Sequence, residues 1–207
     1  MSAIQKILTH KIVAIIRLDD YARAVEVAQA LAAGGISVLE FTLTGQGAIE
    51  AITAVRRALG GAVCVGVGSV LKSDEAQAAI DAGAQFVVTP AVRKTVIAAC
   101  LHRNTPIVCG GFTPTELLEA YEAGSELVKL FPAQSGGPRY LKDVLAPLPF
   151  LKLVPTGGVS GENARDYLAA GAVALGIGGH LVSNKVVAAG AFEQITSAAR
   201  ACVAAVR

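Results

Sequence analysis

One lysine interrupts an apolar segment near the middle of the sequence. Lys129 lies in LVKLFPA (residues 127–133), between apolar side chains and three residues before a proline. Desolvation disfavours an ammonium ion, so an amine in a dry site loses its proton easily and can attack a ketone to form a Schiff base. The protonated imine then draws electrons from a neighbouring bond. Lys129 is therefore a candidate for covalent catalysis on a ketone.

Such chemistry also needs a proton carrier and a group that binds the substrate. Glu40, in VLEFTLT, is a carboxyl in an equally apolar setting, and general acid–base help contributes roughly 100-fold to 10,000-fold. Arg17 ends the apolar segment KIVAIIR and can hold a carboxylate by two parallel hydrogen bonds, to which Thr42 or Ser69 could add a hydroxyl. Together these residue types suit a keto acid.

The same residues also have purely structural interpretations. Lys129 could extend along the surface to water while Glu40 caps or pairs with it, and Arg17 could form an internal ion pair with Glu40. Lys152 in FLKLVP also stands three residues before a proline. Lys129 lies further beyond the glycine that precedes its segment, whereas Lys152 follows a proline-rich turn at once. This placement favours Lys129 as the lysine nearer the end of its strand.

A repeated phrase reveals the elements that position these residues. A helix-like segment ends in a small residue and glycine and is followed by a short apolar run, in LAAGGISVLEFT, DAGAQFVVTP, EAGSELVKLFP and AAGAVALGIGG. The phrase recurs every 41 to 49 residues, which leaves room for a second strand and helix in each interval. The intervening strands are predicted at 11–17, 62–68, 105–111 and 150–158.

Eight continuously apolar strands that alternate with helices predict a parallel sheet buried on both faces. Thr113 and Glu116 form a predicted capping box at the start of one of these helices. We interpret residues 1–207 as a single (β/α)8 TIM barrel with a short N-terminal helix. An open, doubly wound sheet is the alternative, because periodicity does not reveal closure.

In such a barrel the strand ends meet at one face, where phosphate is often held after the seventh and eighth strands. The corresponding segments here are PTGGVS and GIGGH. Their backbone amides could cup a phosphate, although glycines there could serve only tight turns. This prediction includes the residues Thr156, Gly157, Gly158, Gly178 and Gly179.

Composition excludes several classes of function. A net charge of +2, no tryptophan and no cluster of Lys or Arg argue against nucleic acid. No apolar run is long enough to span a membrane and no signal peptide is recognisable, so we expect a cytoplasmic protein without membrane contact. The four cysteines occur singly in apolar surroundings, which indicates reduced thiols.

Metal-dependent chemistry is not expected, because it needs clustered His and Asp ligands at the strand ends. His10 and His102 fall on predicted helices, and only His180 falls in a loop of the catalytic face, where a solvated turn residue is the favoured interpretation. We therefore expect no metal and no cofactor.

Six motifs together resemble a known family. VLEFTLT, GVGSVL, AQFVVTPAV, TPTEL, VKLFPA and LVPTGGVS occur in the order and spacing of the 2-keto-3-deoxy-6-phosphogluconate (KDPG) / 4-hydroxy-2-oxoglutarate aldolases. The resemblance implies a class I aldolase, a trimer of (β/α)8 barrels that reversibly cleaves a 2-keto-4-hydroxy acid without metal. KDPG gives pyruvate and glyceraldehyde 3-phosphate, and 4-hydroxy-2-oxoglutarate gives pyruvate and glyoxylate.

The resemblance also implies roles for individual residues. It assigns the Schiff base to Lys129 rather than Lys152, and proton transfer to Glu40. The other matching positions form the pyruvate pocket, its wall and the phosphate loop, and they are Thr42 and Ser69, Pro90 and Phe131, and Gly157 and Gly158.

Three positions depart from the pattern of the family. Thr44 stands where many members have a carboxylate-binding arginine, for which Arg17 is the expected substitute, and Ser69 replaces a more usual threonine. Gly178, Gly179 and His180 stand where members often offer Ser or Thr to the phosphate. An aldolase for the galactonate epimer or for a non-phosphorylated analogue therefore stays open, as do a phosphate-binding isomerase or epimerase and a catalytically impaired barrel that senses a sugar phosphate.

Overall fold

The computed structural model describes residues 1–207, in which strands and helices alternate along the chain. The strands are β1 (Ile12–Ile16), β2 (Val38–Thr42), β3 (Cys64–Gly68), β4 (Val87–Val88), β5 (Ile107–Gly111), β6 (Leu127–Leu130), β7 (Leu153–Pro155) and β8 (Leu175–Ile177). The helices are α1 (Ala3–His10), α2 (Ala24–Ala33), α3 (Ala48–Leu59), α4 (Ser73–Asp81), α5 (Lys94–His102), α6 (Pro114–Glu122), α7 (Gly137–Leu145), α8 (Ala164–Ala169), α9 (Asn184–Ala188) and α10 (Phe192–Ala205). The predicted number and order of strands are confirmed.

The strands form one parallel sheet in the order β7-β6-β5-β4-β3-β2-β1-β8. A bridge between Thr156 and Gly176 joins its two edges, and Val173 donates a backbone hydrogen bond of 3.0 Å from one edge to Leu153 on the other. The sheet is therefore a nearly closed barrel. The predicted (β/α)8 fold is confirmed, and the open doubly wound alternative is wrong.

Both faces of the sheet are buried, which explains the unbroken apolar runs. In β6, Val128 and Leu130 belong to the larger core between strands and helices, whereas Leu127 belongs to a smaller core inside the barrel. Alternation along the strand then directs Lys129 inward with Leu127. Position along β6 thus decides that the amine lies inside the barrel.

Helix α1 closes the N-terminal end of the barrel. Ser2 and Gln5 form a capping box at its start, and Ile4 and Ile7 pack into the smaller core with Phe86. Phe86 fills the barrel opposite Gly66, where an added Cβ would overlap its ring. The barrel is therefore filled by apolar side chains at this end, so that polar chemistry is confined to the other.

Local signals read from the sequence are also present. Thr113 Oγ1 accepts a hydrogen bond from the Glu116 N–H, and the Glu116 carboxylate accepts one of 2.8 Å from the Thr113 N–H, as predicted for a capping box. All four cysteines are free and buried. No helix combines the length and the apolar character needed to cross a bilayer.

Candidate active site

Lys129 is enclosed within the barrel. Its residue surface is 4 % exposed, and none of the ion pairs in the chain includes it. Its Nζ lies 5.1 Å from the centroid of the Phe131 ring. Burial lowers the pKa of the amine, an effect that the charge of Glu40 opposes and the charge of Arg17 reinforces. The site therefore favours the neutral, nucleophilic form, and the interpretation that Lys129 reaches to water is wrong.

Lys152 has a different environment. It precedes β7 by one residue, and its Nζ lies 2.8 Å from a carboxylate oxygen of Glu126, which precedes β6 by one residue. The two side chains are 43 % and 55 % exposed. Lys152 is thus a surface residue in an ion pair at the N-terminal end of the barrel, as its place after the turn predicted.

Glu40 faces the same interior as Lys129. It is 2 % exposed, and its Oε1 has no hydrogen-bond partner. Gly68 on the neighbouring strand makes room for it, since an added Cβ there would lie 2.6 Å from Glu40 Cδ. Burial raises the pKa of the carboxyl, and the charges of Lys129 and Arg17 partly offset this. A buried carboxyl oxygen without a partner is suited to accept a proton from a bound molecule.

A small space of about 10 Å³ separates the two groups from an apolar floor. Glu40, Lys129, Thr156 and Gly176 line it, and its floor is formed by Ile7, Val13, Phe86, Val88, Val108 and Val154. This volume is about that of one water-sized molecule. The amine and the carboxyl can therefore exchange a proton through a single small molecule.

A larger cavity of about 390 Å³ opens from this space toward the ends of the strands. Thr156 and Gly176 line both. A Cβ on Gly176 would press on the Thr156 hydroxyl and lie 3.1 Å from Ile15, so this glycine keeps the connection open. Seven residues predicted from the sequence line the larger cavity, namely Arg17, Phe131, Thr156, Gly157, Gly158, Gly178 and Gly179.

The two glycine segments offer unused backbone donors to this cavity. The carbonyl oxygens of Gly157 and Gly158 accept bonds of 3.0 Å and 2.8 Å from Gln134 and Asn163, and that of Gly178 accepts one of 2.8 Å from Leu181. The N–H groups of the same three glycines donate to no acceptor in the chain. Consecutive free N–H groups form an anion-binding concavity.

Arg17 enters the cavity from the end of β1. It takes part in no ion pair, so the predicted alternative of an internal pair with Glu40 does not occur. Its charge nevertheless acts on the pKa values of Glu40 and Lys129, which places it beside the chemistry. The guanidinium is free to bind an anionic group next to the amine.

Three further residues predicted for the site line neither space. The Thr42 hydroxyl is occupied by Thr44 at 2.8 Å and by the Tyr21 hydroxyl at 3.1 Å. Ser69 is half-buried in a left-handed backbone conformation at the end of β3, with φ 60°. Pro90 packs against Gly110 on the adjacent strand, where an added Cβ would lie 2.6 Å from its carbonyl carbon. These residues lie at or just after the carboxyl ends of β2, β3 and β4 and line neither cavity.

Sequence reasoning missed part of the lining. Ser183 and Asn184 reach the cavity from the start of α9, a short extra helix between β8 and α10. Asn184 Oδ1 accepts a bond of 3.0 Å from the Asp19 N–H, which ties this helix to the loop after β1. The helix start could have been recognised, because the Ser183 side chain caps it by accepting from the Val186 N–H.

Comparison with known proteins shows to which family a chain with this site belongs. A family model for KDPG and KHG aldolase matches residues 3–198. The chain belongs to the KDPG and KHG aldolase family. It is 37 % identical to a 2-dehydro-3-deoxy-phosphogluconate aldolase of Treponema pallidum over 94 % of this chain and 91 % of that protein. It is 35 % identical to the KHG/KDPG aldolase of Escherichia coli K12 over 98 % and 95 % of the two chains.

A solved structure extends this likeness to the fold of the aldolase family. The KDPG aldolase of Legionella pneumophila, with pyruvate captured as a covalent carbinolamine intermediate, is 26 % identical and superposes with a TM-score of 0.89 over 98 % of both chains. The family expected from the six motifs is confirmed, and so are an aldehyde-lyase and a small-molecule substrate.

Proposed function

We propose that this chain is a class I aldolase that cleaves KDPG into pyruvate and glyceraldehyde 3-phosphate, and also 4-hydroxy-2-oxoglutarate into pyruvate and glyoxylate. The observation that carries the proposal is the pairing of a buried amine, Lys129, with a buried carboxyl oxygen of Glu40 that has no partner, across a space of about 10 Å³. The family to which the chain belongs supports the same chemistry.

Bond cleavage begins at the amine. Neutral Lys129 attacks the keto carbon, and the carbinolamine takes a proton from the Glu40 carboxyl and loses water to give a protonated imine, which leaves Glu40 as a carboxylate. Burial favours this nucleophile because it lowers the pKa of Lys129. Arg17 holds the carboxylate of the keto acid beside the amine. It substitutes for the arginine that many family members have at the position of Thr44.

Glu40 then moves the protons. It removes the proton of the 4-hydroxyl while the electrons of the C3–C4 bond flow into the imine, so that the aldehyde leaves and an enamine remains. Protonation of the enamine at C3 and addition of water release pyruvate and restore the amine. The raised pKa of Glu40 suits a group that must both accept and return a proton.

The phosphate of KDPG occupies the far part of the cavity of about 390 Å³. The N–H groups of Gly157, Gly158 and Gly178, which have no acceptor in the chain, support this placement. Thr42, Ser69 and Pro90 border the pyruvate end and shape it without touching the larger cavity.

We further propose that the chain acts as a homotrimer in the cytoplasm, as the family resemblance implies. Four free, buried thiols are consistent with a reducing compartment. Light scattering during size-exclusion chromatography tests the trimer, for which we expect three times the mass of the chain.

Reductive trapping tests the proposed reaction. Borohydride reduction in the presence of pyruvate is expected to attach pyruvate to the peptide that contains Lys129, as read by mass spectrometry. Lys129→Ala is expected to lose both the label and the release of pyruvate from KDPG. Lys152→Ala is the matched control, one residue before the adjacent strand β7, and keeps both.

Glu40→Gln separates the two steps in the same experiment. The variant is expected to retain labelling at Lys129 but to lose turnover by roughly 100-fold or more, because only the proton carrier is missing. Labelling of Lys152, or wild-type turnover in Lys129→Ala, would refute the proposed function. Assays with KDPG, its galactonate epimer and 4-hydroxy-2-oxoglutarate rank the substrates.

A further inference from the structure

The cavity of about 390 Å³ is lined by side chains of only one sign of charge. Arg17 and His180 are the only lining residues that can become charged, and both become positive. No aspartate or glutamate lines the cavity. An anion that enters it therefore meets no carboxylate on the wall of this cavity.

The two cationic groups serve different ends of this cavity. Arg17 acts on the pKa values of Glu40 and Lys129 and therefore lies at the reacting end. His180 contributes to neither, and it follows β8 in the loop that contains Gly178 and Gly179. A substrate joined to Lys129 and extended past Thr156 and Gly176 brings its last group toward His180.

The loop of His180 is built to leave donors free. Leu181 and Val182 donate to the Gly178 carbonyl at 2.8 Å and 3.2 Å, which fixes the turn. The N–H groups of Gly178, Gly179 and His180 itself have no acceptor in the chain, and an added Cβ on Gly179 would meet no atom within 4 Å. An anion bound by these amides therefore lies beside residue 180, whose side chain is exposed.

We propose that His180 is a specificity-determining residue that binds the anionic far end of the substrate as an imidazolium, so that the preference for a phosphorylated over an uncharged end declines as pH rises. This inference rests on the proposed aldolase function. Histidine changes its charge between about pH 5 and about pH 8. A phosphate ester is already largely a dianion above about pH 6.5, since its second pKa is about 6.

Three other titratable groups line the cavities that His180 lines. Arg17 shares the cavity of about 390 Å³, and Glu162 lines a second hollow that His180 also lines. Cys202 lies in that hollow too, but burial raises the pKa of its thiol, so it stays neutral. A bound phosphate adds the remaining negative charge and stabilises the imidazolium.

The test compares two substrates that differ only at the far end. The kcat/KM for KDPG is divided by that for 2-keto-3-deoxygluconate, which lacks the phosphate, between about pH 6.5 and about pH 9. Ionisations of Lys129 and Glu40 affect both substrates and cancel in this ratio. For the wild type we expect the ratio to fall about tenfold, through KM rather than kcat. A tenfold change corresponds to the loss of one charge-assisted hydrogen bond.

Three variants assign this effect. His180→Gln keeps a donor without a charge, so its ratio is expected to be flat and near the wild-type value at high pH. His180→Arg carries a permanent charge and is expected to hold a high ratio at every pH. His102→Gln, an exposed histidine at the end of α5, is the matched control and follows the wild type. A wild-type ratio that does not change with pH overturns the proposal. A ratio in His180→Gln that equals the wild-type ratio at every pH overturns it too.

Binding of glycerol 3-phosphate, measured by calorimetry, gives a readout that needs no catalysis. We expect about tenfold weaker binding to His180→Gln than to the wild type at about pH 6.5, and equal binding overturns the role of His180. If neither substrate releases pyruvate and Lys129 is not labelled, the aldolase function fails instead, and the calorimetric comparison still decides the role of His180.

Discussion

At the scale of single residues, stability and chemistry conflict at Lys129, because the burial that frees its amine leaves an ammonium without an ion-pair partner. An unfolded lysine has a pKa of about 10.4. Burial lowers the folded value, so the unfolded state binds more protons over the interval between the two. The free energy of unfolding of the wild type therefore rises with pH across that interval.

Lys129→Met removes this cost while nearly preserving volume. We expect the variant to be more stable than the wild type by about 2 kcal/mol near pH 7, a shift in Tm of several degrees. The difference should narrow as pH rises to about 9.5, because the free-energy cost of releasing the lysine proton on folding falls with pH until the unfolded pKa of about 10.4 is reached. Thermal melts at both pH values check this, with Lys152→Met as the exposed control. A Lys129→Met variant less stable than the wild type near pH 7 would contradict it.

The sequence predicts the reacting residues better than their neighbours. Lys129 and Glu40 alternate with apolar side chains on strands, so their inward direction follows from the period of the strand. The Thr42 hydroxyl lies on a strand as well, but Tyr21 and Thr44 occupy it. The contact with Tyr21, on a preceding loop, leaves no pattern in the sequence around Thr42 from which it could be predicted. The role of Thr42 in substrate binding stays a prediction.

At the scale of elements, the register of β2 and β3 sets the position of the carboxyl. Glu40 pairs with Gly66 in register, and the next inward position on β3 is Gly68, whose missing side chain admits the Glu40 carboxyl. We expect Gly68→Ala to displace Glu40, lower the free energy of unfolding by roughly 1–3 kcal/mol and reduce kcat by about tenfold or more.

Denaturant unfolding and steady-state kinetics check both effects. Gly61→Ala is the matched control, because an added Cβ at Gly61 meets no atom within 4 Å. It should keep kcat and change stability by less than about 1 kcal/mol. Wild-type kcat in Gly68→Ala would show that Glu40 does not need this space.

Elements differ in how much of them the sequence reveals. The capping box at Thr113 was predicted because its two side chains bond only to each other and to nearby backbone. Helix α9 was missed because five residues are too few for a helical period to emerge. Its Asn184 is placed by a bond to Asp19, a contact across 165 residues that no window of sequence contains.

At the scale of the whole molecule, the barrel is closed at one end and open at the other. Helix α1 packs Ile4 and Ile7 against Phe86 at the N-terminal end, and Ile7 also forms part of the floor beneath Lys129 and Glu40. The same apolar contacts that stabilise the fold therefore keep water away from the amine. The stability of the molecule and the lowered pKa of Lys129 thus depend on the same packing of α1 against the barrel.

Ile7→Ala tests this dependence. The side chain is fully buried, so its truncation should lower the free energy of unfolding by about 2–5 kcal/mol, in one transition if residues 1–207 are a single domain as we propose. Water admitted beneath Lys129 should also raise the pKa of the amine toward its ordinary value, because desolvation is the main cause of its lowering. The rate of imine formation with pyruvate should then fall most strongly on the acidic side. Thr9→Ala, at an exposed position on the same helix, is the control that should leave the pH profile unchanged. An Ile7→Ala variant that loses stability but keeps the wild-type pH profile would show that the packing of α1 stabilises the barrel without lowering the pKa of Lys129.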